Sequence, residues 1–375
     1  MQIIEKPKNI GSLTGLRFFA AAAIVWFHYQ GPFNLPKTSA SLAQGVSYFF
    51  VLSGFVLAHV YPSVPNWSAR AQFMIARIAR LWPAHLAGIM MMILLVGAPW
   101  QAQPLNLVVN ILMLQAWIPV EGLFTSVNGP SWSISTELGL YFIFLVVVDR
   151  FKDTRGRMLI LSFVVLAALV ALGLAMNVPW VTKSPPSITA QSLLYEFPFG
   201  RAFEFASGMC VAELYRRWSL PARLSFLSVT AIEIAVVGLI VGHAKIAACI
   251  VQAWPNALTY YISFSAALPA AISIFVFSQN RGLISKFLAT PLCVLLGEMS
   301  YSIYLYHVPL GYYFSSNRAQ ITSMTTTRIV CLMALAALCY ASLTLFETPA
   351  RVAIRRATSG CSRWTTLFRC CPQAP

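Results

Sequence analysis

Charge is what this sequence has least of. Asp, Glu, Lys and Arg make up 10% of its 375 residues, where a soluble globular domain carries about 25%. With 58% hydrophobic residues and a mean hydropathy of +0.70, the chain cannot hide its apolar surface in water, which excludes a soluble globule and requires lipid as solvent. Acidic residues are scarcer still, 11 against 26 basic ones, for a formal charge of +15. Such an excess on one soluble face would suit nucleic acid. Here the Lys and Arg fall in short clusters between apolar runs, so no nucleic-acid partner is expected and the clusters read as topology signals. None of the eight cysteines has a CxxC or zinc-type spacing, so neither a disulfide framework nor a metal site is expected. Internal repeats and low-complexity linkers are missing too. That leaves one membrane domain over residues 1–350 and a short basic cytoplasmic tail over 351–375.

What the chain has in abundance is apolar runs of the length that crosses a hydrocarbon layer, roughly 17 to 25 residues. They predict an all-α, polytopic fold of about ten transmembrane helices: Leu13–Tyr29, Val46–Tyr61, Leu81–Ala98, Ile134–Val148, Met158–Met176, Phe199–Tyr215, Phe226–Gly242, Leu258–Ser278, Leu292–Tyr312 and Arg328–Phe346. Leu105–Trp117 is apolar but short and reads as an extra re-entrant or shortened helix. The positive-inside rule then puts both termini in the cytoplasm and leaves only Lys37, Lys183, Arg201, Lys245, Arg318 and Arg328 outside. Lys6 and Lys8 before the first run imitate a signal peptide, but Arg17 interrupts that run and no cleavage is expected. Trp67, Trp100, Trp117, Trp180 and Trp254 read as interfacial belts.

A titratable side chain inside a span costs at least ~2.5–3.5 kcal/mol at the bilayer centre, so each needs a partner, a water-filled cavity or a function. Arg17 and His28 share the first span. Eleven residues is close to three helical turns, which sets both on one face and about 16 Å apart. On the topology above, His28, Glu137 and His307 come from three distant helices to one outer-half layer. Arg77 and Arg80 in "RIARLWP" are one turn apart on the cytoplasmic side, with Arg17 and Arg70 nearby. A guanidinium fork binds phosphate there, although arginine at a cytoplasmic edge is also what the positive-inside rule produces alone. His59, His85 and His243 fall at span ends and read as packing or interfacial residues. Glu204 and Glu213 lie at helical spacing from Arg201 and Arg217, which suits ion pairs.

Six segments, in order, resemble the acyltransferase 3 family of bacterial inner-membrane O-acyltransferases. They are "LTGLRFFAAAAIVWFHYQG" with Arg17 and His28 in a basic-x10-His arrangement, "FFVLSGFVL" around Ser53 and Gly54, "RIARLWPAHL" with Arg77, Arg80 and Pro83, "PSWSISTELGLYF" with Ser133, Ser135 and Glu137, "LGEMSYSIYLYHVPL" with Tyr301, Ser302, Tyr304 and His307, and "LFETPAR" with Glu347 and Pro349. Many relatives carry paired acids where this chain has Thr136 and Glu137, so a two-carboxylate role is not carried over. The short stretch after Arg351 resembles stand-alone members without an attached esterase-like domain.

The resemblance implies an acyl-CoA donor, usually acetyl-CoA, in the cytoplasm, held by Arg17, Arg77, Arg80 and Ser53, and as acceptor a hydroxyl of a cell-surface glycan or lipid-linked oligosaccharide. It also implies the cell inner membrane as location. His28 is then the general base, with Glu137 orienting His28 or the acceptor and the Tyr301–His307 region stabilising the oxyanion or shaping the pocket. Direct transfer and an acyl-histidine intermediate both remain open. The rival class is a proton-coupled transporter or flippase, for which buried His, Glu and Arg along a pore are equally expected.

Overall fold

The computed structural model describes residues 10–37, 40–97, 104–182, 187–253, 264–317 and 323–359. Lys6, Lys8, Trp100, Lys183, Trp254, Arg318 and the tail beyond Ser359 lie outside these residues, as does the start of the expected span Leu258–Ser278. Among the described residues the protein is all-helical. Its helices are α1 (Gly11–Tyr29), α2 (Gly45–Val60), α3 (Trp67–Met91), α4 (Pro104–Ile111), α5 (Trp132–Ala175), α6 (Ala202–Arg217), α7 (Phe226–Ala253), α8 (Ala267–Ser278), α9 (Leu283–Leu288), α10 (Pro291–Ser316), α11 (Met324–Ala341) and α12 (Thr348–Ser359). Among the described residues six helical segments are long and apolar enough to cross a membrane: Leu42–Val60, Trp67–Val96, Gly129–Phe151, Gly156–Ala175, Phe226–Ile250 and Met324–Thr358. Their outward faces are apolar, and together with α1, α6 and α10 they turn polar groups inward.

The two spans expected at Ile134–Val148 and Met158–Met176 form one unbroken run of helical hydrogen bonding, α5. The axis nevertheless reverses. A Cβ on Gly139 would sit 2.6 Å from Pro198, and one on Gly173 lies 3.9 Å from Leu193. Straight helix would separate those glycines by about 51 Å, while the five residues from Leu193 to Pro198 reach at most about 18 Å. The two arms therefore run antiparallel about a bend near Gly156, and both expected spans exist. The third span differs in length. Asn66 caps α3 by accepting from Ala69 N at 2.9 Å, so the helix starts 14 residues before Leu81 and carries Arg70, Arg77 and Arg80 on its shaft. This places His85 in mid-helix rather than at a span end. It is fully buried and donates from Nε2 to Asn110 O at 2.7 Å.

Leu105–Trp117 is an eight-residue helix, α4, followed by irregular chain that dips between the helices as far as Ser131. Backbone at such depth must be satisfied by protein. Asn128 Nδ2 donates to Leu305 O at 3.0 Å, Gln115 Nε2 to Ser131 O at 3.1 Å, Trp117 Nε1 to Ser135 O at 3.0 Å, and Ser135 Oγ accepts from Ala116 N at 3.0 Å.

Two backbone contacts hold the centre. A Cβ on Gly54 of α2 would lie 2.0 Å from Phe205 O of α6, and one on Gly208 of α6 would lie 1.8 Å from Val51 O. Gly297 of α10 meets Thr14 O of α1 in the same way, at 1.9 Å. Only glycine permits this approach, the small-residue packing that membrane helices use in place of a hydrophobic drive. It fixes α1 against α10 and α2 against α6, and so sets the positions of Arg17, His28, Ser53 and His307.

Candidate active site

The polar interior has two poles. At one, His28 of α1 and His307 of α10 stack with ring centroids 5.0 Å apart, and His28 Nδ1 lies 2.7 Å from His307 Nε2. The proton positions follow from a third atom. His307 Nδ1 is 3.2 Å from Ile303 O, and a carbonyl only accepts, so Nδ1 carries the hydrogen. The neutral ring then offers Nε2 as a lone pair, which accepts from His28 Nδ1–H and leaves His28 Nε2 unprotonated. His307 is fully buried, whereas His28 keeps an exposed face. Tyr29 Oη donates to His307 O at 2.8 Å, and Tyr304, 6.0 Å from the His307 ring, donates to Pro130 O at 2.9 Å.

At the other pole, Arg17 of α1 lies within electrostatic reach of Arg80, Glu137, Tyr141 and Tyr48. Arg77 is buried on α3, its guanidinium 5.5 Å from the Tyr61 ring centre and 5.7 Å from that of Phe73, with one hydrogen bond to Tyr61 Oη at 3.3 Å. Glu137 Oε1 accepts from Ser53 Oγ at 3.0 Å and from Tyr141 Oη at 2.5 Å. Tyr301, six residues before His307 on α10, donates its hydroxyl to Leu81 O at 2.8 Å and is within reach of Glu137 and Glu347.

The structure thus brings His28 to His307, and Arg17 to Arg80, Glu137 and, through Glu137, to Ser53. It does not bring Glu137 to His28. The reason is the irregular segment before α5. Pro130 is already level with Tyr304, so α5 starts inside the bundle and Glu137, seven residues on, lies about 10 Å deeper, at the arginine pole.

Sequence reasoning passed over Tyr141, Tyr61 and Tyr29 as members of the site, and it named Glu347 and Arg351 in the "LFETPAR" segment without giving either a role. Tyr141 follows Glu137 at helical i+4 spacing, a signal that was there to be read. Glu347, 2% exposed, accepts from Ser302 Oγ and, at 2.8 Å, from Ser342 Oγ. Arg351 of α12 lies within reach of Arg77, Arg80 and Glu347. Tyr61 and Tyr29 had no periodic signature. The expected helical ion pairs do form: Arg201–Glu204 at 3.1 Å, fully buried with Arg201 over the rings of Phe50 and Tyr195, and Arg217–Glu213 at 2.7 Å, which Arg216 joins at 2.6 Å. Among the described residues no cluster of His, Cys, Asp or Glu could hold a metal ion.

A bundle of apolar-faced helices with ionisable groups turned inward is a polytopic membrane protein, and the two-poled interior is suited to group transfer. The chain belongs to the acyltransferase domain family, whose match covers residues 10–352. It is therefore read as a membrane enzyme that transfers acyl groups. Acyltransferase MdmB of Streptomyces mycarofaciens is 29% identical over 336 residues, 80% of this chain and 78% of the relative. O-acetyltransferase OatA of Staphylococcus aureus is 24% identical over 94% of this chain, which spans 58% of OatA's length. The putative membrane-bound transacylase BcsY of Komagataeibacter xylinus is 27% identical over 81% of this chain and 73% of the relative. No solved structure matches the chain.

Proposed function

We propose that the protein moves an acyl group, acetyl in the first instance, from cytoplasmic acyl-CoA to a hydroxyl of a cell-surface or lipid-linked glycan, with His28 as general base, in the cell inner membrane with both termini cytoplasmic. The observation that carries this reading is the 2.7 Å contact of His28 Nδ1, on a histidine with an exposed face, with His307 Nε2, and the tautomer deduced from it leaves His28 Nε2 free to accept a proton. The acceptor O–H gives its proton to His28 Nε2 as its oxygen bonds to the thioester carbonyl. The tetrahedral adduct then expels the thiolate, which takes the proton back from the imidazolium, and His28 ends as it began. His307 accepts from Nδ1–H throughout and keeps the ring oriented. The arginine pole fits the donor's phosphates, since guanidinium forks bind them bidentately, and the buried Nε of Arg77 has no partner. The donor's pantetheine arm runs from there past Tyr301 toward the histidines. OatA is an O-acetyltransferase, which favours acetyl transfer to oxygen, while MdmB, an acyltransferase, and BcsY, a putative membrane-bound transacylase, favour acyl transfer in general.

The test is to delete the gene, restore it as wild type or His28→Ala at equal membrane levels, and measure base-labile acyl groups on purified surface glycans by mass spectrometry. Acylation returns with wild type, while the variant is expected to fall by about 10²–10⁴-fold. Identical acylation in all strains would sink the glycan reading, and full activity of His28→Ala would remove the histidine from the reaction.

A further inference from the structure

The arginine pole is short of negative charge. Arg17, Arg77, Arg80 and Arg351 converge there from α1, α3 and α12, and the carboxylates within their reach are Glu137 and Glu347. Four buried or half-buried cations against two carboxylates leave an excess of two positive charges inside a membrane protein, and Arg355, exposed but also within reach of Arg351, adds to it. Both carboxylates are already engaged, Glu137 by Ser53 and Tyr141 and Glu347 by Ser302 and Ser342. None of the four arginines is in an ion pair among the described residues. Two of them, Arg77 and Arg351, each keep a buried Nε–H with no acceptor. A buried guanidinium donor without a partner is costly, and like charges crowded away from water are costlier, so the arrangement is stable only with an anion among them.

Helix α12 is built to complete that arrangement. The chain leaves α11 through a wide turn at Ser342–Glu347, which bends it across to α3. Glu347 is pinned at the bend, and Arg351 follows one turn later, on the side of α12 that faces Arg77 and Arg80, while Arg355 and Arg356 stay exposed. We propose that α12 is a wall of the donor site, and that Arg351 and Arg77, with Arg17 and Arg80, bind a doubly charged phosphate monoester, the 3′-phosphate of coenzyme A. A phosphate dianion cancels the excess of two and offers acceptors to both orphaned Nε–H groups. This rests on the acyl-CoA reading above and adds to it the subsite, its charge and a residue that the motif pairs on α1 and α3 do not include.

The experiment compares binding of coenzyme A and 3′-dephospho-coenzyme A to the purified full-length protein in lipid nanodiscs, for wild type, Arg351→Gln, Arg351→Lys and the exposed Arg356→Gln. Wild type and Arg356→Gln prefer coenzyme A by about tenfold or more, the scale of a charge-assisted hydrogen bond. Arg351→Gln loses most of that preference by weakening coenzyme A alone. Arg351→Lys, which keeps the charge without the fork, falls between and covers the case in which the glutamine variant does not fold. An unchanged preference in both Arg351 variants overturns the assignment of Arg351 and leaves the acyl-CoA reading standing. Failure of wild type to bind either nucleotide overturns both.

Discussion

At the residue scale, the tautomer argument makes His307 a positioning residue with a measurable signature. Replacing it with Phe keeps an aromatic of similar bulk stacked on His28 but removes the acceptor for Nδ1–H, so the imidazole rotates and either nitrogen takes the proton. We expect kcat to fall by about 10–10³-fold, less than a lost carboxylate partner costs a catalytic histidine because His307 is neutral, while KM for the acyl donor stays near wild type. Steady-state kinetics on membranes with matched protein levels checks this. Equal losses in donor affinity and turnover would instead mean that the substitution had deformed the bundle. Sequence spacing alone set Arg17 and His28 on one face of α1. The His28–His307 contact joins residues 279 positions apart in the sequence and could be anticipated only from shared depth. Glu137 shows where depth reasoning stops: counting from the expected start of a span put it in the histidine layer, because the count assumed that spans begin at the membrane surface.

At the scale of elements, apolar runs located most helices within a few residues, since lipid demands a continuous apolar face of known length. Irregular chain between α4 and α5 was invisible for the opposite reason. Its backbone is satisfied by partners such as Leu305 O and Ser135 Oγ that no local pattern announces. Helix pairing was half legible. Gly54 stands in a recognisable segment, but a glycine marks a flat face without saying what lies on it. The structure supplies Phe205 O, and for Gly208 Val51 O. A Gly208→Leu substitution drives a side chain into that carbonyl, and helix separation here costs at least the ~1–3 kcal/mol of an overpacked core. The variant is expected to aggregate on size-exclusion chromatography in mild detergent. Gly238→Ala, at a site with nothing within 4 Å, should run as wild type and melt at the same temperature or slightly above. Similar behaviour of the two variants would mean that the α2–α6 contact does not set the fold.

At the scale of the whole molecule, the basic pole and the histidine pole acquire meaning only through sidedness, because a donor and an acceptor on opposite faces need a path between them. The reversal of α5 decides it. If α5 were one long tilted helix, the residues near Gly156 and those after Ala175 would lie at opposite ends of about 30 Å of extra rise, and every later span would invert. With two antiparallel arms, Asp149 meets Ser63, Val64 and Arg70 at the arginine end, and Val178 returns to the level of Leu193 and Trp180 near the histidine end. The expected orientation then puts the bend inside the cell and Asn177 outside. Single cysteines at Asp153 and Asn177, in a background cleared of the native cysteines, separate the alternatives with a membrane-impermeant maleimide on intact cells. Asn177→Cys should react, and Asp153→Cys only after the membrane is opened. The reverse pattern would turn the arginine pole outward, where no cytoplasmic nucleotide could reach it, and reaction of both positions in intact cells would mean that the α5 arms do not each cross the membrane.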